Sequence, residues 1–256
     1  MGKQKHFVTL FIGSGMNIIL SLITTPIITR LVVPEVYGNY SLFTVFGNIF
    51  LIAACLGQDQ AYGRFFYAHD EVDYERHVLK LVAKIPLTIA MIAGLGLLAY
   101  YVMFDHENFL LPIISMYMLV LVLERFGELT LRLKMKSFTY SILINLQKLT
   151  YTGFVVIAVC YTNINHLYIL TGCTVLSHLV VSLIAVKAEK KLWKKNLFHK
   201  EKIEKYNKEV CYRDIFKYSW PLIFASICTW IFTGADKVML KMFSTSAEVG
   251  IYASAV

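Results

Sequence analysis

Charge is scarce in this sequence. Only 16% of its 256 residues are Asp, Glu, Lys or Arg, where a soluble domain carries about 25%. Proline is limited to five residues, and the five cysteines (Cys55, Cys160, Cys173, Cys211 and Cys228) stand singly. No CxxC or metal-type spacing occurs, which argues against a disulfide framework and a zinc site. GxSxG, a Walker loop, HExxH and Asp-rich metal motifs are also missing, so neither a catalytic arrangement nor a metal or other cofactor is indicated. What is abundant is apolar: 57% of the residues are hydrophobic and the mean hydropathy is +0.58. That excess needs a non-aqueous solvent.

Uncharged or nearly uncharged runs of about 20 residues recur, the length that crosses about 30 Å of hydrocarbon. The first is Phe7–Thr29, followed by Tyr40–Gly57, Ile85–Phe104, Phe109–Leu123, Thr139–Tyr161, Ile164–Val186 and Ile215–Ala235. The first run is too long for a signal-peptide core and lacks a small-residue cleavage site, so it reads as a retained anchor. The expected fold is an all-α polytopic membrane protein with about seven transmembrane helices. Pro86, Pro112 and Pro221 are expected near the starts of spans, where a missing N–H costs little. Pro26 falls late in span one and should bend it, with Thr24 and Thr25 at hand for the freed carbonyls.

The basic residues set an orientation. The N-terminus and residues 58–84, 124–138 and 187–217 hold 21 of the 25 Lys and Arg, and the alternate connections hold Arg30, Lys237 and Lys241. The positive-inside rule then puts the N-terminus in the cytoplasm and the Asp105–Glu107 and Thr162–Asn165 turns outside. The net charge of +8 does not point to nucleic acid, because the basic residues flank apolar spans. Residues 187–214 read as a basic cytoplasmic linker near anionic lipid headgroups. The linker divides a six-span lobe, residues 1–186, from the start of a second, residues 215–256.

At an offset of 212 the sequence repeats itself. Ser14, Asn17, Ser21 and Thr24 match Ser226, Thr229, Thr233 and Asp236, each set on one helix face by its 3-4-3 spacing. Gly38 and Tyr40 match Gly250 and Tyr252. Two parallel halves related by an axis along the membrane normal are a transporter plan. Val256 lies seven residues into what would be span eight, too few to cross a bilayer. The sequence therefore reads as an N-terminal half plus the first helix of the second half.

Polar side chains within spans should face protein or a cavity. Stripes of this kind are Ser14-Asn17-Ser21-Thr24, Ser41-Thr44-Asn48, Ser141-Asn145-Lys148-Thr152 and Thr171-Thr174-His178-Ser182. Spans three and four carry almost nothing comparable and are expected to face lipid. Lys148 stands at the middle of span five, where a charge costs about 2.5–3.5 kcal/mol. It reads either as a partner of Glu124 or Glu128, or as a cation in a central cavity that meets an anionic substrate. The candidate cavity residues are Lys148, Asn145, Asn17, Asn48, Ser21, Thr24, His178 and Asp236. Asp59 and Arg64, just past span two, are expected to pair at the cytoplasmic rim, and Arg30 and Arg125 to act as interfacial anchors.

Three stretches carry a resemblance: Thr24 through Leu42 (TTPIITRLVVPEVYGNYSL), Gly57 through Phe66 (GQDQAYGRFF) and Asp236 through Lys241 (DKVMLK). They resemble the bacterial polysaccharide repeat-unit flippases of the multidrug/oligosaccharidyl-lipid/polysaccharide superfamily, over nearly the whole chain. The resemblance implies one lobe of a two-lobe MATE-like fold and a multi-pass protein of the bacterial inner membrane. It implies a non-enzymatic transporter whose substrate is an oligosaccharide on undecaprenyl pyrophosphate, destined for O-antigen, capsule or exopolysaccharide. The implied partners are this lipid-linked oligosaccharide, membrane lipids, and the polysaccharide polymerase and chain-length machinery. Cationic cavity residues would meet the anionic headgroup, and Lys148 is the candidate by depth and chemistry. The rivals are a cation-coupled multidrug exporter of the same superfamily and a polytopic glycan polymerase or ligase.

Overall fold

A chain in hydrocarbon must satisfy its backbone N–H and C=O groups within itself, so the apolar runs become helices. The computed structural model describes residues 2–69, 71–162, 164–193 and 210–255. Along these run α1 (Gly2–Leu31), α2 (Pro34–Cys55), α3 (Gln58–Phe66), α4 (Val72–Phe104) and α5 (Leu110–Leu133). They are followed by α6 (Ser137–Tyr161), α7 (His166–Ala188), α8 (Lys190–Trp193), α9 (Tyr212–Phe243) and α10 (Ser246–Ala255). Helices α1, α2, α4, α5, α6, α7 and α9 are long and apolar enough to cross a membrane. The described residues contain no strand. The protein is an all-helical polytopic membrane protein.

Several helices outlast the apolar runs that mark them. Helix α4 starts at Val72, well ahead of Ile85, and α9 extends from Tyr212 to Phe243. Pro86 and Pro221 therefore lie inside helices and not near their starts. The reason is physical: apolarity reports the bilayer, whereas exposed residues such as Lys80 and Lys84 continue a helix into water at little cost. Pro34, by contrast, opens α2 after an extended Val33, where its fixed φ suits the first turn. Around Pro26 the Thr24 hydroxyl donates to the Ser21 carbonyl at 3.5 Å and the Thr29 hydroxyl to the Thr25 carbonyl at 3.0 Å. Thr24 and Thr29 thus serve carbonyls other than that of Leu22, the one Pro26 frees.

Span four was expected to face lipid, and the structure corrects this. Helix α5 packs against α2, α3, α4, α6 and α7, burying Ser115, Tyr117, Val122, Glu124, Phe126 and Thr130. The apolar turns before Leu123 and the charged turns after it both lie inside the bundle. An apolar side chain packs against a neighbouring helix as readily as against lipid, so a span with few polar residues need not face lipid. The main core gathers Tyr62, Phe66, Tyr74, Val78, Phe126 and Ile215, all at most 3% exposed. Leu192 and Val210 join it from the two ends of the linker, most of which lies outside the described residues. Beside this core the Lys134 ammonium sits 2.9 Å from Glu75, and Glu189 holds Lys136 at 2.5 Å.

Leu56 (φ 48°) and Gly57 (φ 71°) are both left-handed and swing the chain from α2 into α3. Gly57 meets a second demand. A Cβ placed there would lie 2.6 Å from the Ser219 carbonyl oxygen of α9. Only glycine satisfies both the dihedral and the approach.

The two repeats meet through their own equivalent residues. A Cβ on Gly38 would overlap the Ser246 carbonyl oxygen and stand 2.9 Å from the Gly250 nitrogen. A Cβ on Gly250 would overlap the Pro34 carbonyl oxygen and stand 3.0 Å from the Gly38 nitrogen. Pro34 and Ser246, like Gly38 and Gly250, are 212 residues apart. Exchanging the two repeats maps this contact onto itself, which is what a local two-fold axis between them produces. Helix α10 lies along the start of α2 in this way.

Candidate functional site

The candidate cavity residues fall into separate places. Asn17, Ser21, Asn145 and Lys148 form a polar seam between α1 and α6. Ser141 Oγ donates to the Thr9 carbonyl at 3.2 Å and Asn145 Nδ2 to that of Gly13 at 3.2 Å. Asn17 Nδ2 reaches the Ile144 carbonyl at 3.1 Å. Residue numbers rise together on both helices, so α1 and α6 run parallel. Gly13 permits the approach, since a Cβ there would overlap the Ser141 side chain. In a bilayer such hydrogen bonds and small residues hold helices together.

Lys148 belongs to this seam. Its ammonium donates to the Asn17 carbonyl at 3.0 Å and to the Ser21 hydroxyl. Its partners are thus neutral oxygens and not Glu124 or Glu128, and it is half-buried. Thr24 is buried one turn further along α1.

His178 lies elsewhere, in the middle of the bundle. Its Nδ1 contacts Glu124 Oε2, and Gln147 Nε2 sits 2.9 Å from the same ring nitrogen. The Tyr117 ring stands edge-on at 5.5 Å. Glu124 is 5% exposed, so one α5 carboxylate is enclosed between α6 and α7. Asp236 accepts from the Tyr252 hydroxyl at 2.6 Å and from the Lys237 amide at 2.8 Å. That fastens α9 to α10.

The expected pairing of Asp59 with Arg64 is corrected. Asp59 Oδ2 accepts from Arg125 Nη2 at 2.6 Å and from Nε at 3.0 Å. The Arg64 guanidinium lies over the Tyr218 ring instead, 4.5 Å from its centre. The helical positions explain the exchange. Asp59 begins α3 on its buried side and faces α5, whereas Arg64 lies a turn and a half later, toward α9.

Asp59 and Arg125 border a polar cavity of about 260 Å³ between α2, α3, α5 and α9. Helix α2 contributes Asn48, α3 Asp59 and Gln60, and α5 Arg125. Helix α9 contributes Ser226, Thr229 and Thr233, three members of its repeated stripe. Gln60 Nε2 donates to Ser226 Oγ at 2.8 Å, spanning the cleft. Helices α2 and α9 run antiparallel and touch at both ends of the cavity. Gly57 meets Ser219 at one end, and Gly234 approaches Val45 at the other, where an added Cβ would come to 3.3 Å. Arg125 gives Nε and Nη2 to Asp59, yet its side chain is still 38% exposed toward the space. A guanidinium has five N–H donors, so donors remain for a further anion.

A family model described as "Polysaccharide biosynthesis protein" matches residues 4–256. The chain belongs to that family. No curated protein and no solved structure matches it. This member of the family is a multi-pass membrane protein with a polar cleft between α2, α3, α5 and α9. Of the candidate residues only Asn48 and Asp59 border the cleft. Arg125, expected to act as an interfacial anchor, and Gln60, which stands in a stretch that carries the resemblance, also border it. One clue was in the sequence: Arg125 stands two residues past the apolar run that ends at Leu123, so continuing the helix by a turn places it inside the bundle.

Proposed function

We propose that this protein moves an oligosaccharide linked to undecaprenyl pyrophosphate from the inner to the outer leaflet of a bacterial inner membrane, feeding surface polysaccharide synthesis. The observation that carries the reading is the polar cavity between α2, α3, α5 and α9, bordered by a half-exposed Arg125. A phosphate-bearing carrier needs a cation within reach but no permanent neutralising partner beyond what Asp59 supplies. Alternating access between two lobes uses a site at their interface, and family membership supports a role in polysaccharide assembly. The cavity supplies hydrogen bonding and charge, which suits binding and passage more than bond cleavage. Depleting the protein in its host should make lipid-linked oligosaccharide accumulate on the cytoplasmic face and should remove surface glycan. Normal surface glycan after complete depletion would sink the proposal.

The reading also requires the N-terminus to be cytoplasmic, which the distribution of Lys and Arg supports. A cysteine replacing Asn108 should react with an impermeant maleimide added to intact cells. One replacing Asn196, outside the described residues, should react only after lysis. The reverse pattern would overturn the orientation and the direction of transport with it.

The buried Glu124–His178 pair favours a second reading, a cation-coupled exporter of small molecules. An enclosed carboxylate beside an imidazole is suited to exchanging a proton. Efflux of a cationic dye that is lost in Glu124→Gln, in cells with unaltered surface glycan, would favour that reading over the first.

A further inference from the structure

Helix α9 buries only Ile215, Ser219 and Gly234, and its free side is not uniform. Arg213, Lys217, Trp220 and Phe224 follow one another at 4-3-4 spacing, which puts them on one face of the helix. All four are exposed. Phe216, also exposed, has its ring 6.1 Å from that of Trp220, and the Trp220 ring lies 6.1 Å from that of Phe224. Three aromatic side chains thus form a ladder on the membrane side of two cations. Neither cation has an ion-pair or hydrogen-bond partner among the described residues. Asp214, beside them, accepts from the Cys211 amide at 3.2 Å and from its thiol at 3.0 Å. The neighbouring turns of α9 are pinned to the bundle. Tyr212 donates to the Leu81 carbonyl of α4 at 2.7 Å, and Arg64 of α3 lies over the Tyr218 ring. The exposed face is therefore held at a fixed depth.

We propose that this face of α9 binds an anionic phospholipid of the cytoplasmic leaflet, with its phosphate on Arg213 and Lys217 and an acyl chain along Trp220 and Phe224. The occupant is a lipid of the bilayer and not transported cargo, since none of these residues borders the polar cavity. Depth selects it first. Trp220 lies about 5 Å and Phe224 about 10 Å beyond Lys217 along the helix axis. A headgroup layer about 5–7 Å deep takes the two cations while the ladder enters the hydrocarbon. Trp220 then sits at the boundary that tryptophan favours. Charge selects it second. Two cations with no carboxylate partner complement a phosphodiester, whereas a zwitterionic headgroup also brings an ammonium that they repel. The packing of the repeats does not call for these aromatic residues. At the offset of 212, Phe216, Trp220 and Phe224 correspond to Gln4, Val8 and Ile12 of α1, so the ladder belongs to α9 alone. Each basic residue near an anionic surface favours it about fivefold, so the pair should enrich such a lipid on the order of tenfold. The choice of leaflet rests on the orientation proposed above. The binding itself does not, because a nanodisc presents the same lipids on both sides.

The test uses the whole chain in phosphatidylcholine nanodiscs that contain a minor fraction of phosphatidylglycerol. Trp193→Phe and Trp230→Phe leave Trp220 as the only tryptophan, and brominated acyl chains quench its fluorescence on contact. An equal fraction of brominated lipid should quench several times more strongly as phosphatidylglycerol than as phosphatidylcholine. Arg213→Gln with Lys217→Gln should remove that difference and leave quenching by phosphatidylcholine unchanged. Both positions are exposed and unpaired, so the double variant should fold. Equal quenching by the two lipids before the charges are removed would overturn the proposal. A preference that survives the double substitution would overturn it too. Trp220 that neither lipid quenches would show that protein covers the face, and would reject the lipid equally. Should the tryptophan substitutions impair folding, native mass spectrometry of the unsubstituted protein gives a second reading. Phosphatidylglycerol should be retained in preference to phosphatidylcholine, and Arg213→Gln with Lys217→Gln should cost on the order of tenfold of that preference. Retention without preference, or a preference unchanged in the double variant, would reject the site.

Discussion

Removing Arg125 alone should cost this protein both its fold and its transport, whereas neutralising Arg125 and Asp59 together should cost transport alone. Asp59 is 8% exposed and its only ion-pair partner among the described residues is Arg125. Arg125→Ala leaves that carboxylate enclosed and unpaired, a change that destabilises by about 3–5 kcal/mol in buried pairs. The loss should fall toward the low end, because the cavity admits water to the guanidinium. Asp59→Asn combined with Arg125→Gln removes both charges and keeps hydrogen-bonding groups of similar size. Its amount in the membrane should return close to that of the native protein. Surface glycan should still be absent, since no cation among the described residues then borders the cavity. Immunoblotting of membranes beside a surface-glycan assay separates the two effects. A double variant that exports normally would show that Arg125 is only a structural partner of Asp59, and the polar cavity would lose its role as headgroup site.

The second large effect is expected at the reciprocal glycines. Gly38→Ala and Gly250→Ala each add one methyl group. In an ordinary helix that exchange stabilises by about 0.5–1 kcal/mol. Here each Cβ meets a backbone carbonyl of the other repeat, and backbone cannot swing aside as a side chain does. Overpacking of this kind costs about 1–3 kcal/mol, so the net change should be a loss, with α2 and α10 forced apart. Because the contact maps onto itself, the two substitutions should have similar effects. Their combination should cost less than the sum, since the first already separates the helices. Gly96→Ala is the control, for nothing lies within 4 Å of a Cβ there. Thermal unfolding in detergent would read all four variants. Equal stability of Gly38→Ala and Gly96→Ala would show that the repeats do not depend on this contact.

Much of the architecture was legible in the sequence, because membrane insertion leaves few choices. A run such as Phe7–Thr29 or Ile164–Val186 must be a helix wherever it lies, since hydrocarbon offers its backbone no other partner. The repeat was legible for a related reason: Gly38 and Gly250 occupy equivalent places, and a close approach of backbones requires glycine at both. Helix ends were less accessible. Apolarity stops at the edge of the bilayer while the helix continues, as α4 and α9 do, and this misplaced Pro86 and Pro221.

Partners were decided only by the tertiary structure. Periodicity puts Lys148 and Asn145 on one face of α6, but the face alone does not say whether a cavity or α1 covers it. The parallel packing of α1 places the Asn17 carbonyl and the Ser21 hydroxyl there, so the stripe became a seam. Asp59 lay five residues from Arg64 in sequence, yet the left-handed turn at Leu56 and Gly57 aims α3 so that Asp59 meets Arg125, 66 residues away. Charge, hydrophobicity and helix phase are local properties that a sequence carries in full. Which charge meets which depends on how helices pack across the bundle, and that is set by the sum of many weak contacts that no single segment contains.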